Sequence, residues 1–266
     1  MKTTVCASFT GDGLRGNPAG VVLLDQWAEA ADMQAVAAAN GFPETAFVVL
    51  DGPGEGLIRW FTPTVEVPLC GHATAAAAFM LSQAGHGARF DLATRFGDRL
   101  TAWIEGAGLV CLDFPAKSLT PAPDADLTAA LGSPPAEILA GDSWVAVYDD
   151  EDQVRGLTPT MAAIAAAGRD GIIVTAPGRR GHDVVSRYFV PQSGIPEDPV
   201  TGYAHTLLAP LWSARLGRNP LRCLQASARG GELLCEVRGE RVILKGRVEV
   251  EPPAAREIPA GDAPQA

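Results

Sequence analysis

The 266-residue chain has little positive charge and no long apolar run. Lysine and arginine together number 21 against 31 aspartates and glutamates, which gives a formal net charge of −10, and the chain contains no basic run. Nucleic acids and anionic membranes bind basic surfaces, so neither is an expected partner. No apolar run reaches the roughly 20 residues of a membrane-spanning helix, and the N-terminus has no signal-peptide pattern. We therefore expect a cytoplasmic protein.

The chain also lacks paired cysteines and a nucleotide-binding glycine pattern. Its five cysteines are scattered without a CxxC pair, so the sequence predicts neither a disulfide framework nor a zinc site. Three of them lie in strand-like runs and are expected to be small core residues: Cys6, Cys111 and Cys235. The glycine-rich segment 10–18 does not open a helix as a GxGxxG fingerprint does. The sequence therefore predicts no metal and no dinucleotide cofactor.

Composition and the distribution of strand-like runs predict two globular halves. Hydrophobic residues make up 47% of the chain and charged residues 20%, proportions typical of a packed core. A segment rich in proline, alanine and aspartate separates an N-terminal half, residues 1–115, from a C-terminal half, residues 116–250. Residues 251–266 are rich in proline and alanine and are expected to form a flexible tail. The acidic stretch 149–152 is interpreted as a solvated loop.

The segment 61–74 joins a predicted strand to a predicted helix, residues 72–84. Gly71 opens this helix and a run of alanines follows, so the helix is small on all sides and can be enclosed by other structure. The first backbone N–H groups of a helix have no intrahelical partner, and a glycine lets an anion approach them closely. The segment also carries a thiol, an imidazole and a carboxylate: Cys70, His72 and Glu66.

A shorter segment, residues 196–206, repeats this pattern in the C-terminal half. It follows a strand-like run and leads through Gly202 into another helix of small residues. Aligning Gly202 with Gly71 superposes further pairs: Thr201 on Cys70, and Tyr203 on His72. The repeat predicts that each half presents a helix N-terminus to one shared cleft, which would hold a small carboxylate from both sides.

Glu44 is a candidate for proton transfer. It follows Pro43 and is flanked by Phe42 and Phe47. A carboxylate in an apolar setting has its pKa raised toward the range useful for proton transfer, and we expect this of Glu44. A solvent-facing glutamate at the start of a strand fits the same spacing.

Two loop residues are candidates for the same cleft. Asn17 stands before a proline, where an amide either donates to a carboxylate or simply forms the turn. Asp198 lies in a loop bounded by prolines and is placed to point toward the helix that begins at Gly202. Its neighbour Glu197 is interpreted as a solvated charge.

Cys70 and His72 are compatible with several roles. A thiol and an imidazole can form a nucleophile pair, and a helix N-terminus lowers the pKa of a thiol. Such pairs usually come from distant parts of a chain, and a packed thiol beside a structural histidine fits the sequence as well. A metal site would need further ligands. Asp198, His205 and Glu44 could be recruited, but no metal-ligand spacing supports such a site.

Four blocks of sequence, taken in order, resemble the phenazine-biosynthesis PhzF-like proteins: residues 16–20, 43–47, 59–74 and 197–202. The resemblance implies the α+β fold of diaminopimelate epimerase, with two pseudo-repeated halves, each a curled, mostly antiparallel sheet around a central helix. It also implies a homodimer, the absence of a cofactor and a site between the halves. Proteins of this family typically act on small carboxylates by moving a proton.

The resemblance also implies residue roles. Glu44 matches the family's general acid/base, and His72 and Asp198 match two further catalytic positions. The residues expected to bind the substrate lie in the first loop and around the two helix starts: Asn17, Cys70, Gly71, Thr201, Gly202 and Tyr203. The family often has a serine in place of Tyr203. Related racemases and epimerases have a second cysteine in place of Thr201, so racemisation by two thiols is disfavoured.

The sequence thus predicts a cofactor-independent isomerase that abstracts and returns a proton on a small carboxylate, in the cleft between the halves. The enzymatic alternatives are an epimerase, a hydratase or a lyase acting on a similar carboxylate, and a hydrolase that uses Cys70. The remaining alternative is a small-molecule-binding protein without turnover, because one fold can host several functions.

Overall fold

Strands dominate the computed structural model of the chain, which describes residues 1–106 and 108–252. The expected tail, residues 251–266, therefore lies almost wholly outside the described residues. None of the helices within the described ranges is long and apolar enough to cross a membrane.

The elements follow one another in two series. The first series comprises β1 Thr4–Thr10, β2 Asn17–Leu24, α1 Ala30–Asn40, β3 Glu44–Gly52, β4 Glu55–Phe61, β5 Glu66–Val67, α2 Gly71–Gln83, β6 Arg89–Thr94, β7 Arg99–Glu105 and β8 Leu109–Pro115. The second comprises β9 Thr120–Pro121, α3 Ala125–Leu131, β10 Glu137–Ala140, β11 Trp144–Val147, α4 Glu151–Gly156, α5 Met161–Ala166, β12 Ile172–Pro177, β13 Val184–Phe189, a 3₁₀ turn Pro191–Ser193, β14 Glu197–Asp198, α6 Gly202–Leu216, β15 Leu221–Gln225, β16 Gly231–Arg238 and β17 Arg241–Val250.

The same order of strand pairings occurs in both series. In the first, β1–β2 is antiparallel, β2–β3 parallel, β3–β4 antiparallel and β4–β6 parallel, and β6, β7 and β8 form a meander. In the second, the strands β10 to β13 and β15 to β17 pair in the corresponding way. The predicted fold of two repeated, mostly antiparallel halves is confirmed. Strand β17 pairs with both β8 and β1 and so joins the halves.

Each half encloses one helix of small residues, as the sequence predicted. In α2 the alanines are fully buried, so strands of the surrounding sheet approach the helix on several sides. In α6 the buried face includes Ala204, Leu208 and Trp212. Alanine supports such enclosure because its side chain is short and it favours the helical conformation.

An arginine-carboxylate fork fixes the segment before each central helix. Arg59 on β4 donates to both carboxylate oxygens of Glu66 on β5, at 2.7 and 2.8 Å. Arg187 on β13 does the same to Glu197 on β14, at 2.9 Å for each bond. Bidentate pairs of this kind fix orientation as well as distance. The interpretation of Glu197 as a solvated charge was therefore wrong, because Arg187 holds it.

The acidic stretch 149–152 was also misinterpreted as a solvated loop. The Asp150 side chain accepts hydrogen bonds from the backbone N–H groups of Asp152 and Gln153 and so caps α4. Glu151 is buried and accepts from Arg155 and from the backbone N–H of Arg179. A carboxylate at a helix start satisfies N–H groups that the helix leaves unpaired, which explains the helix here.

Gly16 is a position at which we predict that a side chain destabilises the fold. Its φ is +64°, and a Cβ built there would lie 2.4 Å from the Ser8 carbonyl oxygen. Gly13 has a similar φ of +73°, but no other atom of the described residues lies within 4 Å of its Cβ position. The left-handed conformation alone costs an L-residue about 1–2 kcal/mol. We expect Gly16→Ala to lower the free energy of unfolding more than Gly13→Ala, as measured by urea denaturation; equal losses would contradict this.

His205 and Thr74 occupy equivalent positions in the two central helices. The Thr74 hydroxyl donates to the Cys70 carbonyl oxygen at 2.6 Å, and His205 Nδ1–H donates to the Thr201 carbonyl oxygen at 2.8 Å. The His205 ring is fully buried, and its Nε2 has no hydrogen-bond partner among the described residues. Burial lowers the pKa of His205 to about 4, so the ring is neutral near pH 7.

We predict that His205 makes the protein less stable as the pH falls from about 6.5 to about 4. The histidine of an unfolded chain takes up a proton near pH 6.5, whereas buried His205 does not, so protonation favours the unfolded state over this window; the full effect is roughly 3 kcal/mol. Urea denaturation at several pH values should show that the free energy of unfolding of His205→Thr falls less steeply with falling pH than that of the wild type, because threonine cannot titrate. The exposed His86→Thr is the control. If the free energy of unfolding of His205→Thr depends on pH as steeply as that of the wild type, His205 is not the group responsible.

Candidate active site

The N-termini of α2 and α6 meet at the junction of the halves. A Cβ on Gly71 would lie 4.0 Å from the Gly202 Cα and 3.7 Å from the Phe114 ring, and a Cβ on Gly202 would lie 3.2 Å from Leu244. The two leading glycines therefore let the helix starts approach each other and the central strands β8 and β17. On this side of Gly71 the neighbouring protein atoms lie at ordinary contact distance, and Gly71 also borders the cavity described below.

Three side chains that the sequence assigned to catalysis form one cluster beside these helix starts. Glu44 Oε2 lies 3.2 Å from His72 Nε2. The Asn17 side-chain nitrogen lies 3.4 Å from His72 Nδ1 and donates to Asp198 Oδ1 at 3.0 Å. Glu44 begins β3, His72 lies in the first turn of α2, and Asp198 comes from β14 of the other half. Their catalytic roles remain predictions.

Asn17 connects the two halves within the cluster. Its side chain is 1% exposed, and its amide nitrogen donates to both Asp198 Oδ1 and the Val200 carbonyl oxygen, the latter at 2.9 Å. Asn17 was expected to bind the substrate, yet its donors are directed into the protein. Its Oδ1 is buried without a hydrogen-bond partner in the part of the chain that the structure describes.

Glu44 and His72 hold each other in the charged state. Burial raises the pKa of Glu44, but the adjacent His72, through its charge and hydrogen bonding, and the Cys70 thiol outweigh this, so the pKa lies below its ordinary value. For His72, burial opposes the imidazolium, but the Cys70 sulfur and the Glu44 carboxylate favour it, and the pKa lies well above its ordinary value. The expected rise in the Glu44 pKa was therefore wrong, because the sequence does not show that an imidazole lies beside it.

Cys70 is a neutral thiol near pH 7. Its Sγ lies 3.5 Å from His72 Nδ1. Burial, and then the negative charge of Glu44, raise the pKa of the thiol above its ordinary value despite the neighbouring imidazole. The helix N-terminus was expected to lower the pKa of Cys70, but burial and the charge of Glu44 outweigh that effect. Near neutral pH the carboxylate of Glu44 is therefore the group whose charge stabilises the His72 imidazolium.

Asp198 differs from Glu44 in the protonation state that its surroundings favour. Burial raises the pKa of Asp198 above its ordinary value, although the charge of His72, the Thr201 hydroxyl and the Val200 backbone N–H all favour the ionised form. Of the two carboxyl groups in this cluster, Asp198 is thus the one whose surroundings favour the protonated form. Such a divergence between neighbouring carboxyls is a common feature of acid/base pairs.

Two buried polar residues that sequence reasoning missed support the cluster. The Ser8 hydroxyl on β1 donates to the His72 carbonyl oxygen at 2.8 Å. Gln225 at the end of β15 accepts from the Thr201 backbone N–H at 2.9 Å and donates to the Asp198 carbonyl oxygen at 2.8 Å. Both are polar residues on strands whose other buried side chains are mostly apolar, which is the only sequence signal that points to them.

Tyr203 lines a neighbouring cavity instead of facing His72. Its hydroxyl lies 3.5 Å from Ser143 Oγ, and the Lys117 ammonium lies 5.2 Å from the centroid of its ring. The cavity has a volume of about 460 Å³ and also borders Gly71 and Phe114. A phenol at this position thus forms a wall beside the helix starts, where a serine would leave space.

Comparisons with known proteins place the chain among relatives over nearly its full length. The profile of the family described as "Phenazine biosynthesis-like protein" (PhzC-PhzF) matches residues 6–258. An uncharacterized isomerase of Pseudomonas aeruginosa is 46% identical over 245 residues, which cover 90% of this chain and 92% of the relative.

Solved structures show the same fold. A PhzF-family phenazine biosynthesis protein of Enterococcus faecalis superposes with a TM-score of 0.88 at 37% identity, covering 94% of this chain and 96% of that one. A probable proline racemase of Agrobacterium radiobacter shares the fold alone, with a TM-score of 0.59 at 12% identity over 94% of this chain and 90% of that one. The predicted resemblance is confirmed, and the chain belongs to the PhzC-PhzF family of phenazine biosynthesis-like proteins.

Proposed function

We propose that the chain is a cofactor-independent isomerase that moves a proton on a small carboxylate. The observation that carries this proposal is a pair of carboxyl groups in the cluster around His72. Glu44, in contact with the imidazole, has a lowered pKa, and Asp198, linked to the imidazole through Asn17, has a raised pKa. One group is then ready to accept a proton while the other is more easily kept protonated. The name of the Pseudomonas aeruginosa relative supports an isomerase-type activity.

Glu44 is the base in this proposal. Its carboxylate is ionised near neutral pH, and 21% of the side chain is exposed, so a substrate carbon can reach it. It takes a proton from a carbon next to the substrate carboxylate or to a double bond. The electron pair of the broken C–H bond moves into the substrate and forms an enolate. The imidazolium of His72 is the nearest positive charge that can stabilise this enolate.

Asp198 and Glu44 are the candidates for returning the proton. Return at the original carbon gives back the substrate or its epimer, and return at a different carbon moves the double bond, which is isomerisation. Glu44 contacts His72 Nε2, whereas Asp198 is linked through Asn17 to His72 Nδ1 and comes from the other half. A second carboxyl at that position lets the proton arrive at a second carbon.

The substrate carboxylate is assigned to the paired helix starts. The backbone N–H groups of Gly71 and His72, and those of Gly202 and Tyr203, belong to the first turns of α2 and α6, where the helix dipole favours an anion. Thr201 carries a hydroxyl beside this position. A homodimer and the absence of a cofactor remain proposals that rest on the family resemblance.

The geometry favours proton transfer over the alternatives that use a thiol. A hydrolase needs a thiolate at Cys70, but burial and Glu44 keep that group a thiol near pH 7. Racemisation by two thiols needs a second cysteine, and Thr201 stands in its place. An epimerase, hydratase or lyase would use the same Glu44 and Asp198, and the identity of the product distinguishes among them.

We predict that Glu44→Gln abolishes solvent-deuterium incorporation into a bound carboxylate while leaving binding nearly intact. Glutamine keeps the shape of the side chain but cannot accept the proton, and positioned acid/base catalysis is worth ~10²–10⁴ in rate. A thermal-shift screen of small carboxylates identifies ligands, and mass spectrometry in D₂O then measures the exchange. The exposed Glu55→Gln is the control. Exchange at the wild-type rate in Glu44→Gln would exclude Glu44 as the base.

We predict that Asp198→Asn affects the deuterium exchange of the substrate and its conversion to product differently. Glu44 is retained, so we expect deuterium to enter the substrate at the first carbon, but conversion to product should fall because the group proposed to serve the second carbon is gone. The amide of asparagine can still accept a hydrogen bond from Asn17, so the loop can keep its position. Nuclear magnetic resonance of substrate and product in D₂O reports both rates. Equal losses of exchange and conversion would argue against separate roles.

A further inference from the structure

Three different metal-binding side chains converge in the cluster at the start of α2. One ligand atom from each of Glu44, Cys70 and His72 lies within 4.8 Å of the other two. His72 Nε2 lies 3.2 Å from Glu44 Oε2 and 4.0 Å from Cys70 Sγ. The sequence predicted no metal site, because Glu44 is far from the other two residues along the chain and no ligand spacing connects them.

An unsatisfied acceptor borders this group. Asn17 Oδ1 is buried and has no hydrogen-bond partner among the described residues, whereas Glu44 Oε2 is paired with His72 Nε2 at 3.2 Å. Asn17 itself is 1% exposed, and its amide nitrogen lies 3.4 Å from His72 Nδ1. Buried oxygen atoms without a donor are costly, and a bound donor or cation relieves that cost. The site therefore has more lone pairs than the protein satisfies.

We propose that Glu44, Cys70 and His72 form a binding site for Zn²⁺. In a tetrahedral zinc site, ligand atoms lie about 2.0–2.3 Å from the metal and hence roughly 3.3–3.7 Å apart. The two separations from His72 Nε2, 3.2 and 4.0 Å, bracket this range, and the Glu44 and Cys70 ligand atoms lie within 4.8 Å of each other, so rearrangement of the side chains would complete the site. Three protein ligands leave the fourth position for water, which is the arrangement of an open zinc site. Binding would release one proton from the Cys70 thiol and one from the His72 imidazolium to solvent, because zinc takes a thiolate and a neutral imidazole.

The donor set selects the class of metal. A cysteine sulfur and an imidazole nitrogen favour Zn²⁺ and related soft or borderline cations, whereas Mg²⁺ and Ca²⁺ require mainly oxygen ligands. The partly exposed Glu44 offers an approach, because 21% of its side chain faces solvent while Cys70 and His72 are almost fully covered. The site therefore assigns a function to Cys70, which the proposed proton transfer does not use.

Zinc and substrate would exclude each other. This consequence, unlike the zinc site itself, rests on the proposed function, because Zn²⁺ occupies the carboxylate that takes the proton and the imidazole that stabilises the enolate. Zinc would then act as a reversible inhibitor of the isomerase, and a chelator would restore activity. Measuring Zn²⁺ binding in the absence of any substrate keeps a failure of the zinc site distinct from a failure of the proposed function.

The test is a titration of the full chain with Zn²⁺ alone, in competition with a chromophoric chelator. We expect one tight site per chain in the wild type and at least tenfold weaker binding in Cys70→Ser and in Glu44→Gln. Titration with Co²⁺ should give a near-ultraviolet sulfur-to-metal absorption band that Cys70→Ser lacks. Circular dichroism establishes that the variants are folded, and Glu44→Gln keeps the test informative if Cys70→Ser fails to fold.

Cys111→Ser is the matched control, since Cys111 is equally buried but lies on β8. Unchanged zinc affinity in this variant, together with the losses above, supports the site. Three results would overturn it: wild-type protein that competes for no zinc, wild-type affinity in both Cys70→Ser and Glu44→Gln, or loss of binding in Cys111→Ser alone.

Discussion

The contact between the Glu44 carboxylate and the His72 imidazole is the interaction on which the candidate site depends. Burial alone would neutralise both groups, because each charged form loses hydration. At a separation of 3.2 Å each charge stabilises the other, so the pKa of Glu44 is lowered and the pKa of His72 is raised. Removing either partner would leave an uncompensated charge in a buried position. Asn17 then connects this pair to Asp198 and so brings the second half of the protein into the cluster.

The internal repeat explains where this cluster lies but not which side chains form it. Both halves bring a glycine-led helix to the junction, and both fix its entry with an arginine-carboxylate fork. The reactive groups are distributed unequally. The equivalents of Cys70 and His72 are Thr201 and Tyr203, and the position of Asp198 is filled in the first half by Val67. The two halves thus share a scaffold, while each contributes different side chains to a single site.

Local patterns in the sequence predicted most of the elements and the pairing of the helix starts, because the motifs before Gly71 and Gly202 are short and contiguous. The environment of Glu44 could not be predicted in the same way. Its apolar flanks suggested a raised pKa, but His72 comes from a segment beyond two intervening strands and reverses the direction. Glu197 was misread for a similar reason, since Arg187 lies on a neighbouring strand. Contacts between residues on different strands and helices can be identified only once the fold is known.

The central claim is that the cluster around His72 holds an ionised Glu44 and a more easily protonated Asp198. Carbon-13 nuclear magnetic resonance of the side-chain carboxyl groups during a pH titration tests it directly, with Glu44→Gln and Asp198→Asn used to assign the signals. The account predicts that Glu44 ionises at a lower pH than Asp198 and that His72→Gln raises the pKa of Glu44, because burial then acts without the imidazolium. A Glu44 carboxyl that ionises at a higher pH than Asp198 in the wild-type protein would contradict the account.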